Sequence, residues 1–107
     1  SRFQREGSEL ITFVEVSYTQ ALLGATLQVA TLDGGKDLEI PRGTNMGDIL
    51  RLKGLGLPSL RSSRRGDLLF QVKIEMPKKL KKEEEKLLRQ IAEMRGDSIS
   101  SGKKGLF

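Results

Sequence analysis

Cysteine and histidine are both absent from the 107 residues. That excludes disulfides, thiolate and imidazole metal sites, Cys or His nucleophile chemistry and any Ser-His-Asp triad. It also fits a reducing compartment. Tryptophan is absent too, and the aromatics amount to one Tyr and four Phe. Base-stacking platforms and aromatic sugar sites are therefore poorly supplied. No apolar run approaches the ~20 residues of a membrane span. The polar, charged opening Ser1–Gly7 does not read as a signal peptide. At this length the chain has room for one modest core.

Charge is present and unevenly placed. The net value is +5. Residues 1–76 hold ten Lys/Arg against nine Asp/Glu, whereas residues 77–107 hold nine against five. A basic end suits nucleic acid or an anionic surface. Its plainer reading is a solvated, solubilising end.

The hydrophobic period is 2 over most of the chain, which predicts strands. In Asp67–Met76, Leu68, Phe70, Val72, Ile74 and Met76 alternate with Leu69, Gln71, Lys73 and Glu75. One face is expected buried and the other mostly wet. Leu10–Tyr18 is a second strand, with Leu10, Val14, Val16 and Tyr18 inward and Ile11 and Phe13 covered on the other face. Ala25–Val29 buries Leu27 and Val29, and Lys36–Ile40 buries Leu38 and Ile40. Between them Asp33-Gly34 supplies the positive φ angles of a tight hairpin turn. Ile49–Lys53 is a short fifth strand. Thr19–Gly24 reads as one or two helical turns stopped by Gly24. Pro41–Asp48 and Gly54–Gly66 are loops, the second long enough to suggest function or motion.

After Pro77 the period becomes helical. Lys81–Met94 carries Leu87, Leu88, Ile91 and Met94 at helical spacing, with Leu80 seven residues before Leu87. Glu85 and Arg89 form an i,i+4 pair of favourable polarity, and Gly96 ends the helix. Residues 96–107 are expected to be a flexible basic tail. The apolar stripe is narrow, close to a helix–helix seam. Periodicity alone leaves open whether it covers its own sheet or the same helix of a second chain.

No catalytic constellation emerges. Gly54-Leu55-Gly56 resembles part of a dinucleotide loop but lacks a third Gly and a following helix, so a turn is expected. Arg64-Arg65-Gly66-Asp67 contains Arg-Gly-Asp at a loop end. Glu83–Glu85 suits the positive end of a helix dipole rather than a metal. Arg61, Arg64 and Arg65 are candidate phosphate contacts; a solvated loop is the plainer reading.

Taken together, the segments resemble the second of the two C-terminal β domains of DnaJ-type co-chaperones. The residues that carry this are Phe3, Arg5, Gly7 and Leu10, then Ser17–Gly24, Val29, Thr31–Gly34, Ile40-Pro41, Gly43-Thr44 and Gly47. Arg51–Pro58, Gly66–Leu68, Pro77 and Leu80 complete it, so that it spans residues 3–93. The ending Lys103–Phe107 is similar to tails of bacterial, zinc-bearing members. Two departures, Glu9 for the usual Asp and an extra Gly in Asp33-Gly34-Gly35, touch no functional position.

The resemblance implies a mainly β fold: a small two-sheet domain with a short internal helix and a C-terminal α-helix. It implies no enzyme, and a cytoplasmic role in protein folding and the stress response. The expected organisation is a β domain over 1–76, a dimerisation helix over 77–95 and a tail over 96–107. Expected partners are a second copy, unfolded polypeptides, and a DnaK-type chaperone reached through a J domain that this chain lacks. No cofactor is expected here, since zinc belongs to a Cys-rich region also absent, and no membrane contact. The residues expected to dimerise are Leu80, Leu87, Leu88, Ile91 and Met94. Leu55, Leu57 and Leu60 are candidate client contacts, unless they pack onto their own sheet. A small basic β domain binding nucleic acid is the alternative.

Overall fold

A computed structural model describes residues 4–58 and 64–101, with backbone alone at 4–6. The chain forms two compact units, Ser1–Met76 and Pro77–Phe107. The elements of the first are β1 (Gln4–Glu6), β2 (Glu9–Ser17), α1 (Tyr18–Leu23), β3 (Ala25–Thr31), β4 (Gly34–Ile40), β5 (Ile49–Leu52) and β6 (Leu68–Glu75). The second contains α2 (Lys82–Arg95).

Four strands form one sheet in the order β1-β2-β6-β5, and β3-β4 is a separate hairpin. β2 and β6 run parallel from Leu10 opposite Leu68 to Ser17 opposite Glu75. β1 and β5 flank them antiparallel. The fold is mainly β, as expected. Sheet and hairpin close on one core. Leu10, Val14, Val16, Leu68, Phe70 and Val72 come from the sheet, Leu38 and Ile40 from the hairpin and Ala21 from α1. Leu68 is wholly buried. Truncating such a leucine to alanine costs about 2–5 kcal/mol.

Local chemistry sets the boundaries. Ser17 ends β2 by capping α1: its Oγ accepts the Gln20 amide at 3.2 Å, and its own amide donates to Gln20 Oε1 at 3.0 Å. That capping box converts Tyr18 from an expected inward strand residue into the first residue of a helix. In the β3–β4 hairpin, Thr31 pairs with Gly34 across Leu32-Asp33. Gly34 alone takes a positive φ, +95°, while Asp33 does not. The turn is therefore centred one residue earlier than Asp-Gly suggests, with the glycine absorbing the twist just after it.

The outer face of the sheet departs from expectation in two ways. Leu69, expected wet, is buried. Phe13, expected covered, is 55% exposed, and Lys73 Nζ lies 4.6 Å from its ring centroid. Leu27 and Val29 are half-buried against the core.

The Gly54–Gly66 loop is strapped down at its base. The Leu57 amide donates to the Ser8 carbonyl at 2.8 Å, and Gly56 and Gly66 amides bond within the loop to Gly66 and Leu57 carbonyls at 2.9 and 2.7 Å. A Cβ on Gly66 would lie 2.2 Å from the Ser8 carbonyl oxygen. Only glycine lets the backbones approach that closely.

In the second unit α2 opens with the Lys81 amide donating to Glu84 Oε1 at 2.8 Å. It closes on Gly96 in the left-handed region, where the Asp97 amide donates to the Ala92 carbonyl at 2.9 Å. Arg89 Nε donates to Glu85 Oε2 at 2.9 Å, and its Nη1 holds the Ser100 carbonyl at the same distance.

Candidate functional site

Among the described residues, three regions are candidates for binding: the long loop, a cleft beside β2, and the stripe of α2.

The described residues of the loop are occupied by its own contacts. Leu55 and Leu57 are half-buried and pack against the core; Leu60 lies outside the described residues, as does Arg61. Arg65 is engaged internally, its Nε donating to the Gly56 carbonyl at 3.0 Å and its Nη1 to Asp33 Oδ2 at 2.7 Å. Arg64 is exposed. The amides of Gly54, Gly56 and Leu57 are bonded to Asp67 Oδ1, the Gly66 carbonyl and the Ser8 carbonyl. A phosphate cradle needs such amides free to point at a ligand, so Gly54-Leu55-Gly56 is a turn. Asp67 is likewise structural. The Gly54 amide and the Arg51 guanidinium, 2.9 and 2.6 Å away, hold its carboxyl below the usual range. Among the described residues no cluster of three or more Asp or Glu is placed to hold a metal ion.

The cleft lies between β2 and β3. Thr12, Phe13, Val14 and Glu15 form one wall, Gln28, Val29 and Ala30 the other, and Phe70 also lines it, enclosing about 290 Å³. Its size sits at the low end of ligand pockets, about 300 Å³. Cross-strand bonds from Gln28 to Asp37 and from Thr26 to Glu39 hold the hairpin wall. On the other wall stands Glu15; a hydrogen bond shared with it and the repulsion of its negative charge push the Glu75 carboxyl up. Sequence reasoning missed this cleft, because its walls come from separate strands and Phe13 was expected to be covered.

The third region is the stripe of α2. No residue of the helix is buried. Leu87, Ile91 and Met94 are 56%, 48% and 84% exposed, and Leu80 just before the helix is also exposed. Leu88 is half-buried. Of the five residues expected to dimerise, Leu87, Ile91 and Met94 are thus exposed apolar side chains at helical spacing on α2, and Leu80 is exposed just ahead of it. Leaving such a stripe in water is unfavourable by roughly 25 cal/mol per Å². Among the described residues no helix is long and apolar enough to cross a membrane.

Comparison with known proteins gives the chain's relatives. Residues 1–77 match the family model described as the DnaJ C terminal domain. The chain is similar to the Chaperone protein DnaJ of Bdellovibrio bacteriovorus, 48% identical over 101 residues, which covers 94% of this chain and 27% of the relative. It is similar to that of Rhodopirellula baltica, 50% identical over 97 residues, covering 91% and 25%. The same holds for that of Thermotoga maritima, 46% identical over 99 residues, covering 92% and 27%. The chain spans about a quarter of the length of these relatives.

Proposed function

Because the chain belongs to the DnaJ C-terminal domain family, we propose that it is the non-catalytic, dimer-forming end of a DnaJ-type co-chaperone. The family is one of chaperones, not enzymes. The observation that carries the proposal is the unburied stripe of α2. A second copy supplies an identical stripe, and a two-fold pair covers both at once.

Client binding follows from the dimer. Two weak sites held in one particle raise the effective concentration for a shared unfolded chain. We place the client contact at the cleft beside β2, where Phe13 offers exposed apolar surface, because Leu55 and Leu57 already pack against the core. An extended segment lying along strands is the recognition mode that suits such a cleft. Partnership with a DnaK-type chaperone, through a J domain elsewhere in the longer protein, and a cytoplasmic setting complete the proposal.

Sedimentation equilibrium tests it on the full chain and on Leu87→Asp/Ile91→Asp. The expected result is a dimer that becomes a folded monomer in the double variant. A monomer in both overturns the dimer. Suppression of aggregation of a denatured client, compared between the chain and Phe13→Ser, tests the cleft separately; equal suppression at equal stability removes it.

A further inference from the structure

β6 points alternate amides to its two sides. The Val72 amide donates to the Asp48 carbonyl at 2.8 Å, on the side away from β2, and the Val72 carbonyl accepts the Gly47 amide at 2.9 Å. Two residues on, the Ile74 amide faces the same way. The pairing of β5 with β6 extends only as far as Gln71, so this stretch of edge is covered by the turn before β5. That turn is well fixed. The Gly43 and Thr44 amides both donate to the Ala21 carbonyl, at 2.8 and 3.0 Å. Thr44 Oγ1 donates to the Pro41 carbonyl at 2.6 Å, and the Asn45 amide to Asp48 Oδ2 at 2.8 Å. At Ile74 the turn offers a sulfur: the amide donates to Met46 Sδ at 3.4 Å.

A thioether is a weak acceptor. It is also the one acceptor on this edge that chemistry can upgrade, and Met46 is 61% exposed. We propose that Met46 is a reversible oxidation site that sets how firmly the β6 edge is capped. A lone pair on Sδ attacks an oxygen of hydrogen peroxide. The S–O bond forms as the O–O bond breaks, and the departing oxygen takes up the remaining proton and leaves as water. Sulfur loses two electrons and the peroxide gains them. The sulfoxide oxygen is a much stronger acceptor than the thioether, and a small outward shift of the exposed side chain sets it opposite the Ile74 amide. A thiol-dependent sulfoxide reductase restores the starting state. Met76 and Met94 are also exposed, but among the described residues no amide donates to either sulfur. Their oxidation leaves the edge unchanged. The proposal is independent of dimerisation and of client binding.

Amide hydrogen exchange at Ile74, followed by NMR on the full chain, tests it before and after peroxide treatment, with Met46→Leu and Met46→Gln alongside. Met46 sulfoxide is verified by mass spectrometry. Exchange at Ile74 is expected to slow about fivefold on oxidation, the equivalent of one typical hydrogen bond. Met46→Gln, which carries a carbonyl acceptor, is expected to show the slowed rate without peroxide. Met46→Leu is expected to exchange faster and to ignore peroxide. Unchanged or faster exchange in protein oxidised at Met46 overturns the proposal. So does an equal peroxide response in Met46→Leu, and so does a Met46 that stays reduced while Met94 is oxidised.

Discussion

Arg65 and Asp33, 32 residues apart, are joined by a 2.7 Å bond from Nη1 to Oδ2. The pair ties the base of the long loop to the turn of the β3–β4 hairpin. Each side chain is about one-third exposed, so solvent screens the attraction and the pair is worth about 1 kcal/mol or less. Arg65 also donates to the Gly56 carbonyl. Arg65→Ala is therefore expected to lower stability more than Asp33→Asn. A double-mutant cycle from urea unfolding checks the coupling, and a value of zero removes the clasp.

Gly66 and Gly54 sit at opposite ends of the same loop but are glycine for different reasons. A Cβ on Gly66 meets backbone that cannot yield, 2.2 Å away at the Ser8 carbonyl. One on Gly54 meets open space, and the penalty there comes from φ +72°. Gly54→Ala is expected to cost about 1 kcal/mol. Gly66→Ala, which must separate two bonded segments, is expected to cost more, about 1–3 kcal/mol. Urea midpoints read both; equal losses contradict the close approach.

Two carboxylates give opposite pH dependences. The Asp67 carboxyl is lowered, first by the Gly54 amide and then by the Arg51 guanidinium. Its contribution is present above the unfolded value, near 3.8, and is lost as pH falls through the lower folded value. Asp67→Asn is thus expected to lower the urea midpoint at pH 7, with the difference closing in strong acid. The Glu75 carboxyl is raised by its hydrogen bond and repulsion with Glu15. Folding favours its protonated form, so its contribution is present below the unfolded value, near 4.5, and lost as pH rises through the folded one. Glu75→Gln is expected to raise the midpoint at pH 7 and to leave it unchanged at pH 3. A shift of the same sign for both variants would contradict the assignment.

The strands were legible in the sequence wherever one face is apolar and the other polar. β6 shows the limit: Phe70 and Val72 are buried as the alternation demands, but so is Leu69 on the other face. Period 2 reports which face a residue shares; what covers that face depends on neighbouring strands. β1 is three residues long, too short to show a period. Tyr18 reads as strand by polarity, and the Ser17–Gln20 cap overrides it. Of the candidate sites, the α2 stripe is a local pattern and was readable. The cleft is assembled from residues 12–15 and 28–30 on separate strands, and no pattern within either segment announces it.

The stripe also fixes how a dimer should respond to small changes. In a two-fold pair every substitution acts twice. Leu87, 56% exposed in the single chain, contributes little to folding of the unit that carries it. Leu87→Ala is therefore expected to leave the unfolding midpoint at low protein concentration unchanged. In the dimer, losing about 1 kcal/mol of burial per copy weakens association roughly 30-fold. Leu88 is half-buried within the chain, so Leu88→Ala is expected to reduce folding stability as well as association. Sedimentation equilibrium and dilute-solution unfolding, read together, separate the two effects. If Leu87→Ala leaves the dissociation constant unchanged, the seam runs along another face of α2 or the pair does not form through this helix.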